Sequence, residues 1–168
     1  MKIGILTHYG VNNQGAQLQM YALCRQLEKL GHEPVILTYN KNFDFAREQK
    51  RRNEISIKSV PYILKNFLFK KGIRLTLHNV KKYLFNKKFR ENCFRFEYYS
   101  ESDCDAVVVG SDQVFDIHVG INIMMYGFGM KTKQVMTYAP SFAQTTVSDL
   151  KNRNCDALVA TGINNMKH

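Results

Sequence analysis

The sequence predicts an α/β fold, a parallel sheet with helices packed on its faces. Two observations carry this. Between Lys2 and Tyr39 an apolar run, a helical repeat and a second apolar run follow one another in the order of a β-α-β unit. Further on, Ala106–Val109 is a short, unbroken apolar run that ends abruptly in Gly110-Ser111-Asp112-Gln113. A run without polar alternation fits a strand buried on both faces, as in parallel sheets. In open α/β sheets, ligands bind in the crevice beyond the carboxyl ends of the strands. The functional reading therefore turns on Asp105–Phe115, which reads D-A-V-V-V-G-S-D-Q-V-F.

The first strand is expected over Lys2–Thr7, followed by a polar, glycine-bearing turn over His8–Gly15. Leu18, Tyr21, Ala22, Leu27 and Leu30 then recur at helical spacing. Asn13 suits the N-cap of this helix, and Gly31 suits the position just past its end. The second strand is Val35–Tyr39, and a β-α-β unit of this length closes right-handed with its strands parallel. The turn before the helix carries neither G-x-G-x-x-G nor G-K-[ST]. What remains is a helix N-terminus, whose free N–H groups and dipole favour an anion. The alternative is that Gly10 and Gly15 only permit the turn and close packing.

Lys41–Tyr99 is basic and rich in aromatic residues. It holds 16 of the 24 Lys and Arg, against five acidic residues, in a chain of net charge +10. Such a field favours anionic partners without choosing among them. Tyr62–Leu77 and Val80–Phe96 read as amphipathic helices, interrupted by Pro61 and Gly72. One reading is a helical insertion with a solvated basic face. The other is a surface lying on an anionic membrane, with Leu64, Phe67, Leu68 and Phe69 inserted and Lys65, Lys70, Lys71 and Arg74 at the headgroups. The block matches none of the common nucleic-acid recognition modules, so no nucleic-acid partner is expected.

Asp116–Gly129 is expected to be loop-like. Gln134–Tyr138 reads as a strand, Thr146–Asn152 as a short helix capped by Thr146 or Ser148, and Asp156–Ala160 as one more strand. Residues 161–168 read as a polar tail. With 168 residues and 45% hydrophobic content, the chain suits one domain with a substantial core. Cys24, Cys93, Cys104 and Cys155 are widely spaced, which fits reduced thiols in a cytoplasmic protein and neither a disulfide framework nor a zinc site. Asp44, Asp103 and Asp105 have no metal-ligand spacing with histidine, and no metal is expected. The N-terminal apolar run stops at His8, too short for a signal-peptide core or a membrane span.

Three stretches together resemble the polysaccharide pyruvyl transferase family. Asn13-Gln14-Gly15-Ala16-Gln17-Leu18-Gln19 with Tyr21-Ala22-Leu23 is similar to that family's N-x-G-A-x-L-Q-x-Y-A-L, and Leu30-Gly31-His32-Glu33 to its L-G-H-E. Asp105–Phe115 resembles D-x-x-x-x-G-S-D-Q-V-W, and Thr137-Tyr138-Ala139-Pro140-Ser141-Phe142 resembles S-Y-A-A-S-F. The departures are Phe115-Asp116 in place of W-N, Pro140 in place of a small residue, and Val159-Ala160-Thr161-Gly162 in place of the expected S-V-R-E. The resemblance implies the Rossmann-like N-terminal half, residues 1–160 with an insertion over 41–99, of a transferase with two such domains (the GT-B-like arrangement). It implies transfer of a pyruvyl group, as a ketal, from phosphoenolpyruvate to a sugar of a cell-surface polysaccharide or its lipid-linked precursor. No cofactor is implied beyond that donor substrate. A half of this kind, its C-terminal domain absent, is expected to be inactive alone. Self-association through the face left open, and contact with the inner face of the cell membrane through 41–95, are further expectations. The alternatives are a non-catalytic sugar- or membrane-binding domain and a half that binds a nucleotide sugar.

Pyruvyl transfer needs proton handling and groups that hold an anionic donor. Asp112, at a strand end beside Gly110, is the candidate to orient or deprotonate a sugar hydroxyl, with Ser111 and Gln113 hydrogen-bonding sugar oxygens. Asn13, Gly15 and Gln19 are expected to line the neighbouring crevice. A turn or cap role remains the alternative for Asp112. His8 is either a base or a hydrogen-bonded loop residue.

Overall fold

The computed structural model describes residues 1–40, 72–119 and 121–166. The chain forms two compact units, Met1–Gln49 with Phe94–His168, and Lys50–Cys93.

In the first unit, β1 (Lys2–Leu6) leads through α1 (Gln14–Lys29) to β2 (Glu33–Thr38). β3 (Phe96–Tyr98), β4 (Ala106–Asp112) and β5 (Val135–Pro140) complete a sheet of five strands among the described residues. Every pairing is parallel and the order is β3-β2-β1-β4-β5, a Rossmann-like α/β arrangement. Register sets Gly4 beside Val35 and Val107, and Leu6 beside Val109. One face thus presents Leu6, Val35, Leu37, Val107, Val109 and Val135, all buried with Met124, Met125, Tyr126 and Val159 in one core. Ile3, Ile5, Ile36, Ala106 and Val108 alternate with these and are buried too. Burial on both sides is why β1 and β4 read as continuous apolar runs.

α1 begins and ends where the sequence places it. The Asn13 side chain accepts the Gly15 N–H at 2.9 Å, and Gly31 adopts φ +78, the left-handed conformation that closes a helix. The helix named α3 here (Val147–Asn152) is capped by Thr146 through a capping box with Asp149.

Two expectations need correction. Asp156–Ala160 is no strand but the first half of helix α4 (Asp156–Asn165), which also takes in most of the expected polar tail. A short apolar run does not separate strand from helix. The helix packs closely on the core: a Cβ on Gly162 would sit 2.5 Å from the Tyr126 Cβ. Phe96 belongs to β3, paired with Ile36, and not to a helix. Asp116–Gly129 is irregular, as expected, and much of it is buried. It contains 3-10 turns at Ile117–Val119 and Ile123–Tyr126, and Ile117, Ile121, Met124, Met125 and Tyr126 are buried.

In the second unit, α2 (Ile73–Cys93) covers the expected Val80–Phe96 helix but starts earlier and stops before Phe94. At about 100° per residue Leu77 shares a side with Lys88, and Phe85 with Arg74, so apolar and basic residues are intermixed around its axis. Most of the expected Tyr62–Leu77 helix, with Leu64, Lys65, Phe67, Leu68, Phe69, Lys70 and Lys71, lies outside the described residues, as does Asp44. Among the described residues no helix is long and apolar enough to cross a membrane.

Candidate functional site at the ends of β1 and β4

The strand order reverses direction between β1 and β4. Loops leaving these two strands diverge at such a point and open a crevice at the carboxyl end of the sheet. His8 follows β1 there, and Ser111 to Gln113 close β4.

The backbone of Gly110–Gln113 is fixed from both neighbouring strands. Gly110 has φ +123, and a Cβ on it would stand 2.1 Å from the Tyr138 carbonyl oxygen of β5. The Ser141 N–H donates to the Asp112 carbonyl at 3.0 Å, and the Phe115 N–H donates to the Ser141 carbonyl at 3.1 Å. From the β1 side, the Thr7 hydroxyl donates to the Ser111 carbonyl at 3.4 Å. The Ser111 and Asp112 residues are half-buried, and Gln113 is exposed. Asp112 Oδ1 accepts the Gln113 N–H at 2.8 Å, so part of the expected turn role is real. Its second oxygen, Oδ2, receives no hydrogen bond among the described residues.

His8 joins three strand ends. Its Nδ1 lies 3.2 Å from the Tyr39 hydroxyl, just past β2, and its Nε2 lies 3.2 Å from the Gln113 carbonyl. Burial, then the neighbouring Tyr9 and the negative Asp112, push the Tyr39 phenol well above its ordinary range. Tyr39 therefore keeps its proton. The Gln113 carbonyl can only accept, so Nε2 carries a proton. With both ring nitrogens engaged, His8 fits the bonded-loop reading better than that of a free base.

At the start of α1 the Asn13 carboxamide is occupied as the N-cap. Gly15 has no left-handed φ, and beyond its own helix a Cβ there would meet only Asn13 Oδ1, at 3.4 Å. Gln17, 2% exposed, donates through Nε2 to the carbonyls of Tyr9 (3.0 Å) and Val11 (3.2 Å), holding the β1–α1 loop from within. Gln19 is exposed, about 200° around the axis from Gln17. The structure thus gathers Gly110, Ser111, Asp112 and Gln113 at one strand end, places Asn13 and Gly15 on the loop leaving the adjacent strand, and sets Gln19 apart from Gln17.

A second polar cluster follows the first along the chain. Asp116 Oδ1 accepts the His118 N–H at 2.9 Å, the His118 ring Nδ1 at 2.9 Å, and the Thr145 hydroxyl at 3.2 Å. Burial alone would raise the Asp116 carboxyl, but these hydrogen bonds and the His118 charge outweigh it and hold the group below its ordinary value. The Thr145 oxygen accepts the Ile117 N–H at 3.1 Å, and an Arg153 nitrogen donates to the Ile117 carbonyl at 2.7 Å. His118 Nε2 lies 3.9 Å from Asp149 Oδ2. Sequence reasoning missed this cluster and the parts played by Tyr39 and Gln17. The available signal was Asp116 and His118 two apart, directly after the candidate loop. Asp103 and Asp105 face away from this end: Asp103 pairs with Lys131 at 2.8 Å, and Asp105 accepts the Lys2 N–H at 2.7 Å at the start of β1. Among the described residues no group of three or more His, Cys, Asp or Glu could hold a metal ion.

The family model described as polysaccharide pyruvyl transferase matches residues 13–161, most of the chain. The chain belongs to the polysaccharide pyruvyl transferase family. The matched segment of this pyruvyl transferase family member opens on the α1 N-cap, includes the whole of β4 with Gly110–Gln113, and runs into α4. No curated protein and no solved structure matches the chain.

Proposed function

We propose that this chain acts in transferring a pyruvyl group from phosphoenolpyruvate to a sugar of a cell-surface polysaccharide or its precursor, and that it supplies the sugar-binding side of the site. The observation that carries this reading is Asp112: in a member of this family, it ends β4 at the reversal of the sheet with Oδ2 uncommitted among the described residues. A carboxylate so placed accepts a proton from a sugar hydroxyl. The Ser111 hydroxyl and the Gln113 amide hydrogen-bond adjacent oxygens, and Gly110 brings the backbone within reach. Asn13 and Gly15 lie on the crevice side at the start of α1, whose N-terminus suits the phosphate or carboxylate of the donor.

The test is an amide-resolved NMR titration of the full chain with methyl glucoside, methyl galactoside and methyl mannoside, then with phosphoenolpyruvate. At least one glycoside should shift the amides of Gly110–Gln113 in a saturable way, and Asp112→Asn should weaken that response. If no glycoside moves these amides, or if Asp112→Asn leaves the response unchanged, the reading fails.

A further inference from the structure

A pyruvyl ketal joins one carbon to two sugar oxygens. Starting from phosphoenolpyruvate and a diol, two bonds form from sugar oxygens to C2, the bond from C2 to the phosphate oxygen breaks, and C3 gains a proton to become a methyl group. Two hydroxyl protons are released. One is matched by the proton added to C3, and the other leaves with inorganic phosphate. The two hydroxyls add in separate steps and from different positions on C2, so a second acid–base group beside the carboxylate would serve the second of them.

The Asp116–His118 pair has the construction of such a group. The Asp116 side chain is 14% exposed and fixed by three donors, while the His118 side chain is 45% exposed. A carboxylate accepts only, so neutral His118 carries its proton on Nδ1 and leaves Nε2 bare. Nε2 is too far from Asp149 Oδ2, at 3.9 Å, for a direct hydrogen bond. Two acceptors so spaced suit neighbouring hydroxyls, one on each. Asp149 is held by its capping box with Thr146, and Arg153, packed against the same turn, supplies the nearby cation. The cluster is joined to the Asp112 loop by short links: the Asp116 N–H donates to the Gln113 carbonyl at 3.2 Å, and Ser141 bonds both Asp112 and Phe115.

We propose that His118 is a second acid–base residue of this site, taking the proton of one sugar hydroxyl at Nε2 while Asp116 acts as the positioning residue that holds Nδ1–H. The proposal rests on the pyruvyl-transfer reading and adds a residue suited to the second proton.

The test uses the full chain with 15N-labelled histidine, His118 being assigned by loss of its signal in His118→Gln, or in His118→Asn should that variant not fold. Neutral His118 should show the Nδ1–H tautomer, and Asp116→Asn should abolish that preference. The methyl glycosides should shift the His118 Nε2 resonance with the same midpoint as the Gly110–Gln113 amides. A glycoside that moves those amides but not His118 overturns this inference and leaves the proposed function standing. An Nε2–H tautomer in the unaltered protein overturns it as well. A glycoside series that moves neither set overturns both.

Discussion

Replacing Gly110 by alanine should destabilise the protein by about 4 kcal/mol, more than any other single methyl added to its sequence motifs. Two effects combine. At φ +123 an L-residue occupies a region that costs about 1–3 kcal/mol. The new Cβ would also stand 2.1 Å from the Tyr138 carbonyl oxygen and 3.1 Å from its carbonyl carbon. These are backbone atoms of the neighbouring strand, so no rotamer change relieves the contact, and overpacking of this kind costs about 1–3 kcal/mol or more. Against a typical stability of about 5–15 kcal/mol the loss is large, and at this chain length each kcal/mol lowers Tm by about 2–4 °C. Urea unfolding followed by circular dichroism should show the lower midpoint at an unchanged slope. Gly15→Ala is the control: with only Asn13 Oδ1 at 3.4 Å to meet, it should be neutral or stabilise by roughly 0.5–1 kcal/mol, as removing a helical glycine does. A Gly110→Ala change of less than about 1 kcal/mol would refute the placement of β4 against β5 at this point.

Gln17→Leu should cost about 1–3 kcal/mol, because it leaves the Tyr9 and Val11 carbonyls without their donor; amide exchange over residues 9–13 should quicken more than in β1, and uniform exchange would count against the role given to Gln17. Acid stability should depend on Asp116. Its folded-state carboxyl is depressed, so its contribution is present above the unfolded value of about 3.9 and is lost as pH falls through the folded value. Urea midpoints measured downward from pH 5 should therefore fall less steeply in Asp116→Asn than in the unaltered chain, and parallel slopes would contradict the hydrogen-bonded, ionised Asp116.

What was legible in the sequence is what local chemistry fixes. Asn13 and Gly31 mark the ends of α1 because capping is decided by a few neighbouring atoms. The buried run before Gly110 marks β4 because burial on both faces erases alternation. The misreadings all lie where distant contacts decide. Asp156–Ala160 is apolar enough for either element, and the close packing of Gly162 on Tyr126 in the resulting helix is not visible locally. The three residues of β3 are too few to show a period, and their pairing with Ile36 defines them. Met124, Met125 and Tyr126 lie in a segment that is loop-like as expected, and their place in the core is set by tertiary contacts that no local pattern shows. The same holds at the site. Asp112 is visible because it ends an apolar run, whereas Tyr39 and Gln17 act through partners that no local pattern reveals.

The motif Gly110-Ser111-Asp112-Gln113 divides its work between backbone and side chain. Its carbonyls are held by Thr7, by His8 and by the Ser141 N–H, which tie the loop to β1 on one side and to the end of β5 on the other. Only a loop restrained in this way keeps a half-buried carboxylate at a fixed position, and fixed position is what distinguishes a group able to act on a bound hydroxyl from an ordinary surface acid. His8 contributes as a bridge: its Nδ1 lies against the Tyr39 hydroxyl and its Nε2 against the Gln113 carbonyl. The edge-to-face packing of Tyr9 on Tyr39, with ring centroids 5.5 Å apart, holds the partner that His8 meets at Nδ1.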